Sequence, residues 1–329
     1  MSKPEKVFKS TTDQLQLLQR RGLVIDDPMF AEEALIRTSY YEIINGYKDL
    51  FIDANAEEES FQTGTTFSEI YYLYEMDNTL RFAMLSATLS AENLLRSVIA
   101  YVLAEEHGHS VKDYQNNRNF RQGKKITHGR SKGKYERELL LQIFSEVYHS
   151  THQPMTYYRE TYRDMPPWIL VKGLSFGNLQ YLFKLMLPGS KMKVIARATG
   201  MSSELIDDRF KQSFSEMFDI LVAFRNWAAH GGRVYNHRVR KRLSHSPAHA
   251  RFSVTHSAYQ KHGRGRDDIL SFIVALSYLR DREIADRFIR LVTSEIYDYV
   301  ISFPRHEDML LSQMNIPITL YQGWLHHSK

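Results

Sequence analysis

Residues 66–108 read TFSEIYYLYEMDNTLRFAMLSATLSAENLLRSVIAYVLAEEHG. Apolar side chains recur in this segment at intervals of mostly three and four residues, which is the period of an α-helix with a buried face. Thr66 is a good N-cap, Gly108 is a good terminator, and no Pro or Gly stands between them. We therefore predict a core helix of about eleven turns. Its predicted core positions are Ile70, Leu73, Leu80, Met84, Leu89, Leu95, Ile99 and Val102.

The rest of the chain also has helical patterns, which predicts an all-α fold built as a helical bundle. Asp27 followed by Pro28 is a typical helix start. Helical periodicity returns in residues 135–148, 176–186, 203–229 and 267–302.

Two polar, basic excursions interrupt these patterns, at residues 109–134 and 231–266. The last residues contain Pro304 and Pro317 and are predicted to be irregular. We divide the chain into an N-terminal helical extension (1–60), a helical core that includes both excursions (61–303) and a C-terminal tail (304–329).

The composition is that of an ordinary globular protein. The 329 residues are 43% hydrophobic, and no cysteine occurs, which excludes a disulfide framework, a thiolate nucleophile and any metal site with Cys ligands. No apolar run reaches the length of about 18 residues that a membrane helix needs, and the N-terminus lacks the apolar core of a signal peptide. We expect a cytoplasmic protein without membrane contact.

The basic residues are unevenly distributed, although the formal net charge is only +5. Residues 231–266 contain no Asp or Glu, and residues 118–137 contain the single acidic residue Glu136. Such runs attract a polyanion such as RNA by charge neutralisation and counterion release, although a solvated loop has the same composition. The predicted RNA-binding residues are Arg238, Arg240, Lys241, Arg242, Lys124 and Lys125.

A catalytic candidate, Arg225-Asn226-Trp-Ala-Ala-His230, follows an apolar helical pattern. His can move a proton near neutral pH and Arg can stabilise charge on a phosphate, so the set suits metal-independent RNA cleavage by the 2′-OH. The same Arg-x4-His spacing occurs at 240/245 and 251/256, but in sequence without helical periodicity. The structural alternative is a C-terminal His that interacts with the helix dipole and an Arg in a surface ion pair.

Helical geometry indicates which side chains share a face with the candidate His. If the helix continues, each residue advances 100° around its axis. Four side chains then lie within about 60° of one another: Asn226, His230, Arg233 and His237. Arg225 lies about 140° from His230. Arg225 and His230 can therefore contact one phosphate only through the long Arg225 side chain, a kink at Gly231-Gly232 or a partner subunit.

A second polar stripe lies on the long helix. Its members lie within about 100° of one another around the helix axis: Asp77, Arg81, Glu92 and Arg96. The pairs 77/81 and 92/96 have the spacing of solvent-facing ion pairs, which is the simpler interpretation. If the stripe instead faces the helix that carries His230, these residues can orient the catalytic side chains or contact RNA.

No motif indicates a metal or a cofactor. The sequence has no His-Glu-x-x-His, no Walker A loop, no dinucleotide-binding glycine pattern and no nucleophile elbow. We predict chemistry that uses neither a metal ion nor a cofactor.

Several stretches occur together in an order that resembles a known family. They are residues 14–25 (QLQLLQRRGLVI), 39–47 (SYYEIINGY), 61–67 (FQTGTTF), 73–81 (LYEMDNTLR), 91–96 (AENLLR), Pro167-Trp168, 174–179 (LSFGNL) and 225–236 (RNWAAHGGRVYN). The set resembles the Abi family of bacterial abortive-infection proteins, the group with the Abi_2 pattern, within the HEPN superfamily of all-α ribonucleases.

The resemblance implies an HEPN-type bundle in which Arg225, Asn226 and His230 carry metal-independent RNA cleavage. Members usually act as dimers with two copies of this element facing each other, so we expect a homodimer or a higher homo-oligomer. The family is linked to phage defence and toxin-like growth arrest, and some members are restrained by a small RNA antitoxin.

Two functions of different classes fit these observations. The first is an endoribonuclease whose products carry 2′,3′-cyclic phosphate and 5′-OH ends. The second is a non-catalytic RNA-binding or sensor module in a defence system, in which the Arg225/His230 pair is structural. A weaker third interpretation is an accessory protein of a nucleotide-transfer enzyme.

Overall fold

The structure, a computed structural model, describes residues 7–327. This part of the chain is mostly helical, and it contains isolated β-bridges but no β-strand, so the prediction of an all-α fold is confirmed. The α-helices are α1 (Thr11–Arg20), α2 (Pro28–Thr38), α3 (Phe67–His107), α4 (Val111–Tyr114), α5 (Glu136–Tyr148), α6 (Met155–Tyr162), α7 (Pro167–Gly173), α8 (Phe176–Leu185), α9 (Pro188–Thr199), α10 (Asp208–Ala229), α11 (Pro247–Ala250), α12 (His256–His262), α13 (Ile269–Leu276), α14 (Arg282–Ser302), α15 (Glu307–Met314) and α16 (Ile318–His327). Shorter turns are the π-helical Tyr41–Asn45 and the 3-10 turns Lys48–Leu50, Asn117–Asn119, Ser203–Leu205 and Pro304–His306.

Helix α3 is the 41-residue element around which α7, α9, α10 and α14 pack. Thr66 is the N-cap that the sequence predicted, and it forms a capping box with Glu69: the Glu69 N–H donates to Thr66 Oγ1 at 3.2 Å, and the Thr66 N–H donates to the Glu69 carboxylate at 2.9 Å. The helix ends where Gly108 adopts a φ of +85°. Among its predicted core positions Leu89 is wrong, because 57% of this residue is exposed.

Helix α10 is held along its length by aromatic contacts. The Asp207 carboxylate caps its start by accepting from the Phe210 N–H at 2.7 Å. The buried rings of Phe214, Phe218 and Phe224 then pack on neighbouring helices, with centroid distances of 5.4 Å to Phe183, 5.3 Å to Phe176 and 5.4 Å to Phe272. This packing fixes the position of residues 225–230 at the end of the helix.

The C-terminal tail is helical, so the prediction of an irregular tail is wrong. Helices α15 and α16 occupy most of it, and Leu310, Leu311 and Met314 are buried. Both prolines stand at helix starts, Pro304 at the head of a 3-10 turn and Pro317 directly before α16. A proline is well tolerated there, since the missing N–H has no partner inside the helix.

Two further segments differ from expectation. The region predicted as helical over 267–302 is divided into α13 and α14 by residues 277–281. The basic segment 231–266 is packed rather than solvated, because Val234, Val239 and Leu243 are buried and α11 and α12 interrupt it. Its apolar residues have no regular period, so only tertiary contacts show that they enter the core.

The predicted boundaries at residues 60 and 303 stay predictions, and residues 1–6 and 328–329 lie outside the described range. The predicted extension is packed on the core, since Val24 forms a β-bridge with Thr66. Among the helices that the structure describes, none combines the length and the hydropathy required to cross a membrane.

Candidate active site at the end of helix α10

Helix α10 ends in a Schellman motif at the predicted catalytic residues. His230 is the C-cap residue. The Gly232 N–H donates to Trp227 O and the Gly231 N–H donates to Ala228 O, both at 3.1 Å, which is the pair of bonds that defines the motif. Gly231 has a φ of +76°, a conformation that disfavours any residue with a Cβ. The two glycines therefore stop the helix at His230.

The three predicted catalytic residues lie at the solvent-facing end of α10. Asn226 and His230 are exposed, and Arg225 is half-buried. Arg225 Nη1 donates to Asn226 Oδ1 at 3.3 Å, and the His230 N–H donates to the backbone oxygen of Asn226 at 3.2 Å. Asn226 thus contacts both partners, while the 100° step of an α-helix places positions 225 and 230 about 140° apart around the axis.

Two side chains of α3 hold the segment that follows His230. Arg81 Nη1 donates to the backbone oxygen of Gly231 at 2.9 Å. The Asp77 carboxylate accepts from the Val234 N–H at 3.0 Å and from the Tyr235 N–H at 2.6 Å. These bonds take the place of a solvent-facing 77/81 ion pair, so this half of the polar stripe faces the end of α10.

Asp77 is completely buried, and a third donor completes its coordination: the Tyr47 hydroxyl, at 2.7 Å. Burial raises the pKa of Asp77, and the bonds from Tyr47, Tyr235 and Val234 oppose that shift. Burial and the charge of Asp77 also raise the pKa of Tyr47, which keeps its hydroxyl protonated as a donor. The carboxylate therefore joins α3, the segment before it and the segment after His230.

Arg233 and His237 do not share a helix face with His230, so that prediction is wrong: the helix ends before them. Arg233 donates to the backbone oxygen of Gly46 and lies 3.6 Å from the Asp49 carboxylate. His237 stacks on Trp227, with a centroid distance of 3.8 Å and an interplanar angle of 6°. Burial and the charge of Arg233 lower the pKa of His237 to about 4, so the stacked ring is neutral near pH 7.

Glu92 and Arg96 form an ion pair, but the pair does not face solvent as their spacing indicated, because Glu92 is buried. Arg96 Nη2 also donates to the backbone oxygen of Leu174 at 2.6 Å, just after α7. Arg96 lies fifteen residues beyond Arg81 along α3, about 22 Å in an α-helix, so this pair holds α7 rather than the end of α10.

A family model described as Abi-like protein matches residues 33–236, which is more than half of the chain. The chain belongs to the Abi-like protein family. The matched range includes α3, α10, Tyr47 and the Val234 and Tyr235 donors. Membership suggests a function in abortive infection or phage defence. No curated protein and no solved structure matches this Abi-like protein.

Part of the positive charge after the site is neutralised by acidic residues from elsewhere in the Abi-like protein. Arg238 Nη1 lies 3.0 Å from the Asp268 carboxylate and 3.3 Å from that of Asp267. Lys241 Nζ lies 3.3 Å from the Asp219 carboxylate on α10. Within residues 7–327, the predicted RNA-binding cations that are exposed without an ion pair are Arg240, Arg242, Lys124 and Lys125.

Lys124 belongs to a second positive surface, a cleft of about 480 Å³ that we call the basic cleft. Arg121, Lys184 and Lys191 line it together with Lys124, and Glu136 pairs with Lys184 at 2.6 Å. Burial and the charges of Arg121 and Lys184 lower the pKa of Lys191. Cations therefore outnumber carboxylates here, which favours an anionic ligand.

Tyr47, Lys184 and Lys191 are not among the residues predicted from the sequence. Tyr47 lies in one of the stretches that carry the family resemblance, so a signal for it existed. The two lysines are isolated positions on amphipathic helices, and no local pattern marks them. Within the described residues, no group of three or more His, Asp or Glu side chains is arranged to hold a metal ion.

Proposed function

We propose that this Abi-like protein is an HEPN-type, metal-independent endoribonuclease that acts in the cytoplasm, in phage defence or as a toxin. The observation that carries the proposal is the open Arg225-Asn226-His230 set at the end of α10, with the backbone just beyond it held by buried Asp77. A catalytic site requires reactive groups on a rigid support. A surface ion pair has no such requirement.

In the proposed reaction the 2′-OH of RNA attacks the adjacent phosphorus. The His230 imidazole takes the 2′-OH proton and returns a proton to the 5′-oxygen as the P–O5′ bond breaks. The Arg225 guanidinium stabilises the negative charge on the phosphate oxygens, and Asn226 orients Arg225 or contacts the phosphate. The products carry 2′,3′-cyclic phosphate and 5′-OH ends, and the RNA itself supplies the nucleophile.

A homodimer brings the two diverging side chains together. Two copies related by a two-fold axis can present Arg225 of one chain and His230 of the other to a single phosphate. The exposed apolar residues Phe82 (64%) and Leu89 (57%) support this arrangement. They lie seven residues apart on the same side of α3, and Phe82 directly follows Arg81, which contacts Gly231. We propose that a second copy covers this face.

The first test is cleavage of end-labelled RNA in EDTA by wild type and by His230→Ala, after removal of copurified nucleic acid and with product ends mapped. His256→Ala is the matched control, because it is exposed and has the same spacing to Arg251. We expect His230→Ala to lose cleavage about 10²- to 10⁴-fold while His256→Ala keeps it. A Mg²⁺ requirement, 3′-OH ends or an unimpaired His230→Ala contradicts the mechanism.

The composite site has its own test, the mixing of Arg225→Ala with His230→Ala. Half of the randomly formed dimers are mixed, and in each of these one of two shared sites is complete, so about a quarter of wild-type activity should return. No recovery indicates that each site lies within one chain. Phe82→Glu places a charge in the proposed interface and should give a monomer in analytical ultracentrifugation.

The basic cleft favours a second candidate function, an RNA-holding or sensor module, because this surface can bind a polyanion without the α10 residues. This module would bind RNA in a salt-sensitive manner without turnover, and growth arrest would persist in His230→Ala. In either case we propose RNA as the partner: a substrate for the endoribonuclease, a bound ligand for the sensor module, and for both also a small RNA that restrains the protein.

A further inference from the structure

A groove of about 570 Å³ lies between α3 and α7, away from the end of α10. Two large aromatic side chains line it while staying open to solvent: Tyr101 is 51% exposed and Trp168 is 46% exposed. The buried residues Ala100 and Val171 also line the groove and add apolar surface to it. Exposed rings gathered in one concavity cost solvation free energy, so such a groove is typical of a binding site.

The charge of the groove selects an anionic ligand. Arg96 and Lys172 line it, and none of its lining residues is acidic. Arg96 is paired with Glu92, but its Nε is buried without a hydrogen-bond partner. Within the described residues Lys172 is exposed and forms no ion pair. A ligand that combines flat apolar rings with negative charge fits both properties.

The groove is also rigid. The Arg197 guanidinium lies 3.8 Å from the centroid of the Tyr101 ring, which fixes this ring by a cation–π contact. Trp168 is in the first turn of α7, and the bond from Arg96 to Leu174 O ties the other end of that helix to α3. A preorganised pair of rings loses little entropy when it binds a ligand.

We propose that this groove, which we call the stacking groove, binds unpaired nucleobases of single-stranded RNA between Trp168 and Tyr101, with Lys172 and Arg96 near the phosphates. Aromatic platforms flanked by cations are the general means of holding single strands without sequence preference. The inference rests on the proposed function insofar as RNA is the ligand. It adds a site about 22 Å along α3 from Arg81, on the helix that also holds the end of α10.

The test measures the affinity of a fluorescent single-stranded RNA by anisotropy, in the His230→Ala background so that cleavage does not interfere. We expect Trp168→Ala to weaken binding about 5- to 150-fold and Trp168→Phe to restore most of it. An abasic oligomer, which keeps the phosphates without the bases, should bind all variants equally. Tyr297→Ala removes a similarly exposed ring, 43% exposed on α14, and should have no effect.

Three outcomes would overturn the stacking groove: an affinity of Trp168→Ala within twofold of its parent, an equal loss for the abasic oligomer, or a change of oligomeric state without a change in affinity. The last outcome would assign the groove to a protein contact. Thermal unfolding of each variant excludes misfolding as a cause. Because His230 is absent throughout, these results are independent of cleavage: the groove can stand if cleavage is not found, and cleavage can stand without the groove.

Discussion

Gly232→Ala is predicted to disrupt the end of α10 by steric conflict. A Cβ at this position would lie 2.3 Å from Trp227 Cε2 and 2.4 Å from Trp227 Nε1, which is far inside van der Waals contact. The indole ring must therefore move. Movement breaks the 2.7 Å bond from Trp227 Nε1 to Arg233 O and the stack of His237 on the same ring.

The expected cost follows from these contacts. Overpacking costs about 1–3 kcal/mol and the lost hydrogen bond about 0.5–1.5 kcal/mol, so the free energy of unfolding should fall by roughly 2–4 kcal/mol. Gly231→Ala is the matched control. Its Cβ would come no closer than 3.5 Å, to Arg81 Nη1, so its cost is that of a positive φ, about 1–2 kcal/mol.

Urea unfolding measures the free energy of unfolding of both variants, and proton NMR follows the titration of His237. In Gly232→Ala the pKa of His237 should rise from about 4 towards its ordinary value as the stack opens, whereas in Gly231→Ala it should stay low. Cleavage by Gly232→Ala should fall further than its stability loss explains, because Trp227 lies between Asn226 and His230. A Gly232→Ala variant that unfolds like wild type, or that is the milder of the two substitutions, contradicts the predicted steric conflict with Trp227.

Three further outcomes are expected. Asp77→Ala leaves the Tyr47 hydroxyl and two backbone N–H groups buried without an acceptor, so urea titration should show a loss of roughly 3–6 kcal/mol, and a loss near zero contradicts this account. Between pH 6.5 and 4, His237 is protonated in the unfolded chain but not in the folded chain. The free energy of unfolding should therefore fall by about 1–2 kcal/mol with acidification, a value that allows for the partial exposure of His237. The fall should be smaller in His237→Phe. In Lys191→Gln, the slope of log affinity for single-stranded RNA against log salt concentration should be smaller in magnitude by about 0.7. An unchanged slope would show that RNA does not bind in the basic cleft.

Local signals predicted α3, α5, α8 and α10, whereas α6, α9, α15 and α16 were not predicted. Capping and apolar periodicity act over a few residues, so the limits of α3 could be read from Thr66, Gly108 and the spacing between them. Residue type and position at the end of an apolar helix also selected Arg225, Asn226 and His230 as candidates, and their catalytic role stays a prediction. The prolines of the tail misled the prediction, because a proline starts a helix as readily as it interrupts one.

The direction of the polar side chains was decided by packing between distant segments. The 77/81 and 92/96 pairs have identical spacing, yet Asp77 binds backbone 157 residues away while Glu92 pairs with Arg96 beside α7. The acid-free stretch predicted free positive charge, but three of its cations pair with acidic residues from outside the stretch: Arg238 and Arg266 with Asp267, Arg238 also with Asp268, and Lys241 with Asp219. The spacing of side chains along a helix predicts which of them share a face, but not which segment packs on that face. Burial of that face against a segment far along the chain is a property of the whole core, and only the tertiary structure contains it.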